Sequence, residues 1–148
     1  MTTIFDQATR DDLITRINNL NENSTAQWGK MNVNQMLKHC IMVDEMYLDR
    51  RAYDRAFIGR IFGKVALKSL TKDEQPMRKN SPTGDGFKIK EIDGDISSEK
   101  TKWASLVEQY AHFSHNDFEH WFFGKMTREQ VGILAYKHID HHLRQFNS

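Results

Sequence analysis

Four segments of this 148-residue chain repeat their apolar residues at the spacing of an α-helix, and this pattern constrains the fold most strongly. Such a spacing places the apolar side chains on one helix face, which must be buried against other elements. Four amphipathic helices bury their faces most simply against one another. The pattern therefore predicts an all-α four-helix bundle, formed by residues 1–148 as a single domain. The repeated positions are Leu13, Ile17 and Leu20; Val33, Met36, Leu37, Cys40, Val43 and Tyr47; Trp103, Leu106, Val107, Tyr110 and Phe113; and Val131, Leu134 and Ala135.

Two capping boxes mark where helices begin. In each of them a helix-capping residue is followed three positions later by a glutamine, and the two side chains satisfy each other's backbone N–H groups. The two pairs are Asn32 with Gln35, and Thr127 with Gln130. The helices are predicted over about 6–20, over 32 to about 50, after the cap-rich stretch 95–98, and from 127 onward.

The middle of the chain is less regular. Residues 57–70 predict a shorter helix, interrupted by Gly59 and Gly63. Residues 71–94 carry both prolines of the chain and no helical period, and a loop of this length in a compact domain usually has a function. The segment 114–126 is also irregular but contains four aromatic residues, which predicts that it packs across the end of the bundle.

Composition excludes several classes of protein. The 21 basic and 20 acidic side chains give a net charge of +1 without a basic cluster, which argues against a nucleic-acid partner. Cys40 is the single cysteine, so neither an intramolecular disulfide nor a cysteine-based zinc site can form. No apolar run reaches the ~20 residues of a membrane span, and no secretory signal is recognisable at Met1. We expect a cytoplasmic protein with no membrane partner.

The last predicted helix carries the residues that point to chemistry. His138 and His142 lie one turn apart and in line with its apolar face, so both imidazoles can bind a single ion. Burying two unpaired imidazoles costs ~1–3 kcal/mol each, and a shared metal would remove that cost. His39, near the edge of the apolar face of the second helix, is the best third ligand, because ligands from facing helices converge in a bundle core. Three histidines leave coordination positions open for water or substrate, and they suit zinc, nickel, iron or copper.

Other interpretations of the histidines stay open at this point. His141 could replace His142 as a partner of His138, or the C-terminal histidines could all face solvent. His39 alone could be a hydrogen-bonded core residue. The remaining histidines, His112, His115 and His120, are predicted to be surface or loop residues. Cys40 is interpreted as a core residue, since it points about 100° away from its neighbour His39 on a helix and cannot form a nucleophilic pair with it.

Several motifs resemble those of the DinB-like superfamily, and in particular a branch with a KHxDHHLRQF C-terminal motif. The resemblance covers nearly the whole chain. The motifs are Trp28-Gly-Lys-Met31, Gln35-Met-Leu-Lys-His39-Cys40, Arg78-Lys-Asn-Ser-Pro-Thr83, His120-Trp-Phe-Phe-Gly124 with Thr127, and Lys137-His138-Ile-Asp-His141-His142-Leu-Arg-Gln-Phe146. This chain departs from the branch at Trp121, where proline is usual.

The resemblance implies an up-down-down-up bundle with a long crossover between its second and third helices. It also implies a metal site formed by His39, His138 and His142, the three residues that periodicity selects. The superfamily includes mycothiol-dependent maleylpyruvate isomerase and bacillithiol transferases, in which a metal is thought to lower the pKa of a thiol that attacks an electrophile.

The leading hypothesis is therefore a metal-dependent transferase acting on a small electrophilic molecule. Zinc or nickel is the preferred metal and iron the next candidate, and a low-molecular-weight thiol is a further candidate cofactor. The alternatives are a metal-binding stress or ligand-binding bundle without catalysis, and a metal-dependent hydrolase. Gln35 or Asp140 is expected to orient the ligands through their other ring nitrogens. The expected partner is a small-molecule substrate, and a homodimer through an exposed helix face is an option.

Overall fold

The computed structural model describes all 148 residues and is mostly helical, which confirms the all-α prediction at that level. Its only sheet is a two-stranded antiparallel hairpin that pairs Glu119 with Lys125 and His120 with Gly124. The helices are α1 (Gln7–Asn19), α2 (Val33–Tyr47), α3 (Phe57–Leu70), α4 (Ile96–Gln109) and α5 (Arg128–Gln145). The strands are β1 (Glu119–His120) and β2 (Gly124–Lys125), and two 3-10 turns span Asp85–Phe87 and Tyr110–His112.

Both predicted capping boxes form and start the two helices that carry the histidines. The Asn32 side chain accepts a hydrogen bond from the Gln35 backbone N–H at 2.8 Å, while the Asn32 N–H donates to the Gln35 side chain at 3.1 Å. Thr127 and Gln130 exchange the same two bonds at the start of α5. Each box satisfies two backbone donors that a helix start leaves unpaired.

The core lies between α1, α2, α4 and α5, which contact one another along their apolar faces. Trp103 and Tyr110 are its largest fully buried side chains, and both bind one buried carboxylate, that of Asp44 on α2. The Trp103 indole N–H donates to Asp44 Oδ2 at 2.8 Å, and the Tyr110 hydroxyl donates to Oδ1 at 2.7 Å. These bonds join α2 to α4 and to the 3-10 turn that follows α4.

Helix α3 is continuous, so the predicted interruption at Gly59 and Gly63 is wrong. Both glycines lie where the helix backbone presses on the backbone of Phe122. A Cβ atom would lie 2.4 Å from the Phe122 carbonyl oxygen at Gly59 and 2.2 Å at Gly63. The two glycines therefore permit close packing of the helix, and they do not break it.

Much of the 71–94 segment is irregular as predicted, and it is attached to α5 by Lys137. The Lys137 ammonium is buried and donates to the carbonyl oxygens of Leu70, Asp73 and Gln75 at 2.8, 2.6 and 2.9 Å. A buried ammonium with three carbonyl acceptors has all its donors satisfied. This contact fixes the start of the connection beside the helix that carries His138 and His142.

None of the five helices is both long enough and apolar enough to cross a lipid bilayer.

Candidate metal centre

His39, His138 and His142 meet in the interior, between α2 and α5. One ring nitrogen from each lies within 4.8 Å of the others. The ring centroid of His39 lies 5.2 Å from that of His138 and 4.9 Å from that of His142, and the centroids of His138 and His142 are 4.6 Å apart. His39 and His142 are buried, and His138 is partly exposed toward an adjoining pocket. The structure thus brings together the three residues selected from the sequence, and their imidazoles could hold a metal ion.

The tautomer of His39 is fixed by a backbone carbonyl. Its Nδ1 lies 2.9 Å from the carbonyl oxygen of Phe87, in the 3-10 turn. A carbonyl oxygen only accepts hydrogen bonds, so Nδ1 carries the proton and donates it. The lone pair is consequently on Nε2, the atom that faces His138 at 3.1 Å.

A chain of two hydrogen bonds fixes the tautomer of His142 in the same way. The Gln145 Nε2 donates to the carbonyl oxygen of Trp28 at 2.7 Å, which leaves the amide oxygen facing His142. The His142 Nδ1–H then donates to that oxygen at 2.8 Å. A metal-binding histidine usually donates its second ring N–H to an oxygen in this way, which fixes the ring and directs the lone pair of the other nitrogen toward the ion.

His138 is the one histidine of the three whose Nδ1 has no oxygen acceptor. Its Nδ1 is buried and has no hydrogen-bond partner, while its Nε2 lies 3.1 Å from the Nε2 of His39. Two imidazole nitrogens on one tetrahedral zinc ion, each bonded at 2.0–2.1 Å, would lie about 3.3 Å apart. The separation in this structure is close to that value, so the donor set fits a shared metal.

Burial keeps all three imidazoles neutral near physiological pH. Desolvation is the largest cause that lowers the pKa of each, and electrostatic repulsion from neighbouring histidines, His141 included, adds to it. The pKa of His142 falls to about 3. Neutral imidazole is the form that binds metals, so the environment that disfavours protonation favours coordination.

The cluster opens onto a pocket of about 170 Å³. Its walls are mainly apolar, with contributions from α2, α5, the 3-10 turn and the β1–β2 turn. The apolar lining residues are Val43, Met46, Met77, Phe87, Trp121, Phe123 and Leu134. Since pockets for drug-sized ligands measure about 300–1,000 Å³, this one has room only for a compact molecule.

His120 and Tyr47 also line this pocket, together with the polar residues Ser81, Thr83 and His141. His120 is buried in the hairpin, so its prediction as a surface or loop residue is wrong with respect to exposure. Its Nδ1 accepts hydrogen bonds from the N–H groups of Phe122 and Phe123 at 3.0 and 3.2 Å, so the proton is on Nε2. Burial lowers the pKa of His120 to about 3 and raises that of Tyr47 well above its usual value, which keeps both groups neutral donors.

Several other residues singled out from the sequence lie outside the cluster. His141 packs on the edge of Trp28, with ring centroids 5.5 Å apart, and does not belong to the group of three nitrogens. The prediction that Gln35 or Asp140 orients the histidines is wrong. Gln35 belongs to the capping box, and Asp140 pairs with Arg16 and Arg144. Cys40 is a buried core residue, as predicted.

Comparison with known proteins gives one match. A family model described as "Protein of unknown function (DUF1569)" matches residues 5–148, a range that includes the three histidines and the residues that orient them. No curated protein and no solved structure matches the chain. Because the match covers nearly all of the sequence, the chain belongs to the DUF1569 family.

Proposed function

We propose that His39, His138 and His142 hold one divalent transition metal, with zinc or nickel as the preferred ion and iron as the next candidate. We propose further that the protein is a metal-dependent transferase for a small electrophile. The observation that carries the metal site is the pair of fixed tautomers. Both His39 and His142 donate Nδ1–H to an oxygen and so present Nε2 lone pairs to the cluster. Both arrangements are what a metal ligand requires.

The pocket supports small-molecule chemistry at this site. Three histidine ligands leave coordination positions open, and here the histidines line a pocket rather than a closed core. A metal held there would lower the pKa of a bound thiol or water toward neutrality. The chain supplies no nucleophile of its own, since Cys40 is buried and burial raises the pKa of its thiol well above the usual value. We therefore place the thiol on a separate low-molecular-weight cofactor.

The chain's own residues would select and orient the substrate. The mainly apolar walls favour a compact molecule with apolar surface. The Nε2–H of His120 and the hydroxyl of Tyr47 have no hydrogen-bond partner within the protein and lie on the same pocket. They would donate hydrogen bonds to an oxygen of the substrate, and such donors stabilise charge that develops there.

We also propose that the helical domain is a DinB-like four-helix bundle. Helices α1, α2, α4 and α5 make the mutual contacts of such a bundle. The connection from α2 to α4 is long and contains α3, as a crossover would require. The DUF1569 match neither names this superfamily nor describes an activity, so both assignments rest on the motifs and on the site.

Metal content tests the site directly. Protein purified without a histidine tag should contain close to one metal ion per chain by elemental analysis, and His39→Ala and His142→Ala should each lose most of it. His115→Ala is the matched control, because His115 is exposed and far from the cluster in the chain. Equal metal content in all four proteins would overturn the proposed ligands.

Turnover tests the transferase. Metal-loaded protein is incubated with low-molecular-weight thiols and a bromobimane electrophile, and thiol consumption is followed. The expected result is turnover that needs both metal and thiol and that His142→Ala abolishes. Metal-dependent hydrolysis of an ester without thiol would favour a hydrolase, while metal binding without either reaction would favour a non-catalytic protein.

A further inference from the structure

Helix α3 presents an apolar face to solvent. Of the seven large apolar side chains that the protein exposes, five lie on this one helix, so the exposed apolar surface is concentrated there. They are Phe57 (78% exposed), Ile58 (58%), Ile61 (58%), Phe62 (57%) and Val65 (72%). Single exposed apolar residues are ordinary on protein surfaces, whereas a contiguous patch of this kind indicates an interaction site.

The packing of the opposite face fixes this orientation. Gly59 and Gly63 lie against the backbone of Phe122, closer than any side chain would allow, and Leu67 on the same side is buried. Rotating the helix to bury Ile61 or Phe62 would replace these glycines with large side chains at the contact. The outward apolar face is thus a consequence of how α3 packs.

The charges of α3 have one sign. Arg60, Lys64 and Lys68 are all exposed, and the helix contains no aspartate or glutamate. At 100° per residue, the exposed apolar side chains cover an arc about 140° wide, and the three cations lie along one edge of it. An apolar arc bordered by cations is typical of helices that lie in the surface of a membrane.

We propose that α3 docks on an anionic phospholipid surface, with Ile61, Phe62 and their neighbours in the headgroup–acyl boundary and the cations against lipid phosphates. The expectation of no membrane partner came from the lack of a bilayer-spanning segment. That lack does not bear on this mode of binding, which needs only one amphipathic face. A second copy of the chain fits this face less well. Neither of two facing α3 helices would offer an acidic residue to pair with the cations of the other, and lysine is depleted at protein interfaces.

Vesicle flotation tests the proposal on the full chain. The protein should float with vesicles of phosphatidylcholine and phosphatidylglycerol in equal amounts, and far less with phosphatidylcholine alone. Ile61→Ser with Phe62→Ser should lower the partition coefficient about tenfold or more. Arg60→Gln with Lys64→Gln should lower it about fivefold for each charge removed, and only on the anionic vesicles.

Matched controls change the same residue types elsewhere on the surface. Ile92→Ser and Lys90→Gln alter exposed residues outside α3 and should bind like the unmodified protein. His39→Ala should also bind normally, since the proposal does not depend on the metal site. Failure to float on anionic vesicles at low salt would overturn the proposal. So would a stable dimer by analytical ultracentrifugation that the Ile61/Phe62 variant dissociates, in the absence of vesicle binding.

Discussion

Gln145 determines which nitrogen of His142 faces the cluster. Trp28 and Gly29 in turn hold the Gln145 amide in place. The carbonyl of Trp28 fixes the Gln145 amide, so that its oxygen accepts from His142. Gly29 has a positive φ of 81°, and a Cβ there would lie 2.6 Å from the Gln145 amide nitrogen. A motif far from the histidines in sequence thus supports the orientation of one of them.

Gln145→Leu is the sharpest single-residue test of this support. The leucine cannot accept from His142, so the imidazole is free to change tautomer and rotate. We expect zinc affinity to fall about 10–100-fold, the usual effect of losing such a partner. Competition with a chromophoric chelator measures the affinity. Gln75→Leu, which changes an exposed glutamine, should leave it unchanged, and equal affinities for both variants would contradict this role of Gln145.

The three histidines could be selected from the sequence, but the two groups that orient them, the Gln145 amide and the Phe87 carbonyl, were not. The reason differs between the two groups. Gln145 follows His142 by three positions on one helix, a spacing at which side chains meet, so a signal for it was present. The acceptor for His39 is the backbone carbonyl of Phe87, 48 positions away in an irregular segment. A backbone atom carries no residue-type signature, and only the path of the loop places it.

At the scale of elements, the contact between α2 and α4 contains a buried carboxylate without a cation. Asp44 accepts from Trp103 and Tyr110, and its burial raises its pKa to about 7 against the opposing effect of these two hydrogen bonds. Replacing the carboxylate would leave two buried donors without an acceptor, at about 1–3 kcal/mol each. The polar contact is therefore costly to break even though a buried charge is itself unfavourable.

Asp44→Ala should lower the free energy of unfolding by about 2–4 kcal/mol, as measured by urea denaturation. Asp44→Asn should cost less, because the amide retains an oxygen acceptor for Trp103 and the Tyr110 hydroxyl can reverse its role. The control Asp11→Ala alters an exposed residue of α1 and should change stability by less than about 0.5 kcal/mol. An Asp44→Ala protein as stable as the control would show that the buried carboxylate contributes nothing net.

The helices were predictable where local chemistry determines them. Asn32 and Thr127 start α2 and α5 because each capping box is complete within four residues. The interruption expected in α3 was wrong, since Gly59 and Gly63 serve a contact with Phe122 that lies 63 and 59 positions away. The β1–β2 hairpin was not predicted for a different reason: its strands are only two residues long and show no alternation.

At the scale of the whole molecule, the site joins residues 99 positions apart because α2 and α5 contact each other. This convergence could be predicted, since His39 and His138 lie on or near apolar faces and such faces meet in a helical core. The pocket wall could not, because Phe87 and Trp121 reach it from irregular segments. The fold therefore places three buried histidines and the partly buried His138 near one another, and this affects stability as well as chemistry.

Proton binding by these histidines should make the metal-free protein sensitive to acid. The pKa of His39, His120, His138 and His142 is lowered by burial in each case, whereas in the unfolded chain each titrates near 6.5. As pH falls below about 6.5 the unfolded chain takes up protons that the folded protein does not, so stability is lost, at most ~1.4 kcal/mol per pH unit for each histidine. Asp44 acts in the opposite sense, because its pKa is raised to about 7 and it binds a proton first in the folded state. One such carboxyl cannot offset four histidines.

We therefore expect the free energy of unfolding, measured by urea denaturation in the presence of a chelator, to fall steeply between about pH 7 and about pH 5. His142→Gln removes one of the four histidines and should reduce the slope by about a third, because Asp44 offsets one of the four proton uptakes, whatever the substitution does to stability at neutral pH. His115→Ala, a change at an exposed histidine, should leave the slope unaltered. A stability that does not change with pH over this interval would mean that the imidazoles are as accessible to protons in the folded protein as in the unfolded chain. That result would also weaken the case for a metal at this cluster. The case depends on burial, which disfavours the protonated imidazoles and leaves the neutral form that binds metal ions.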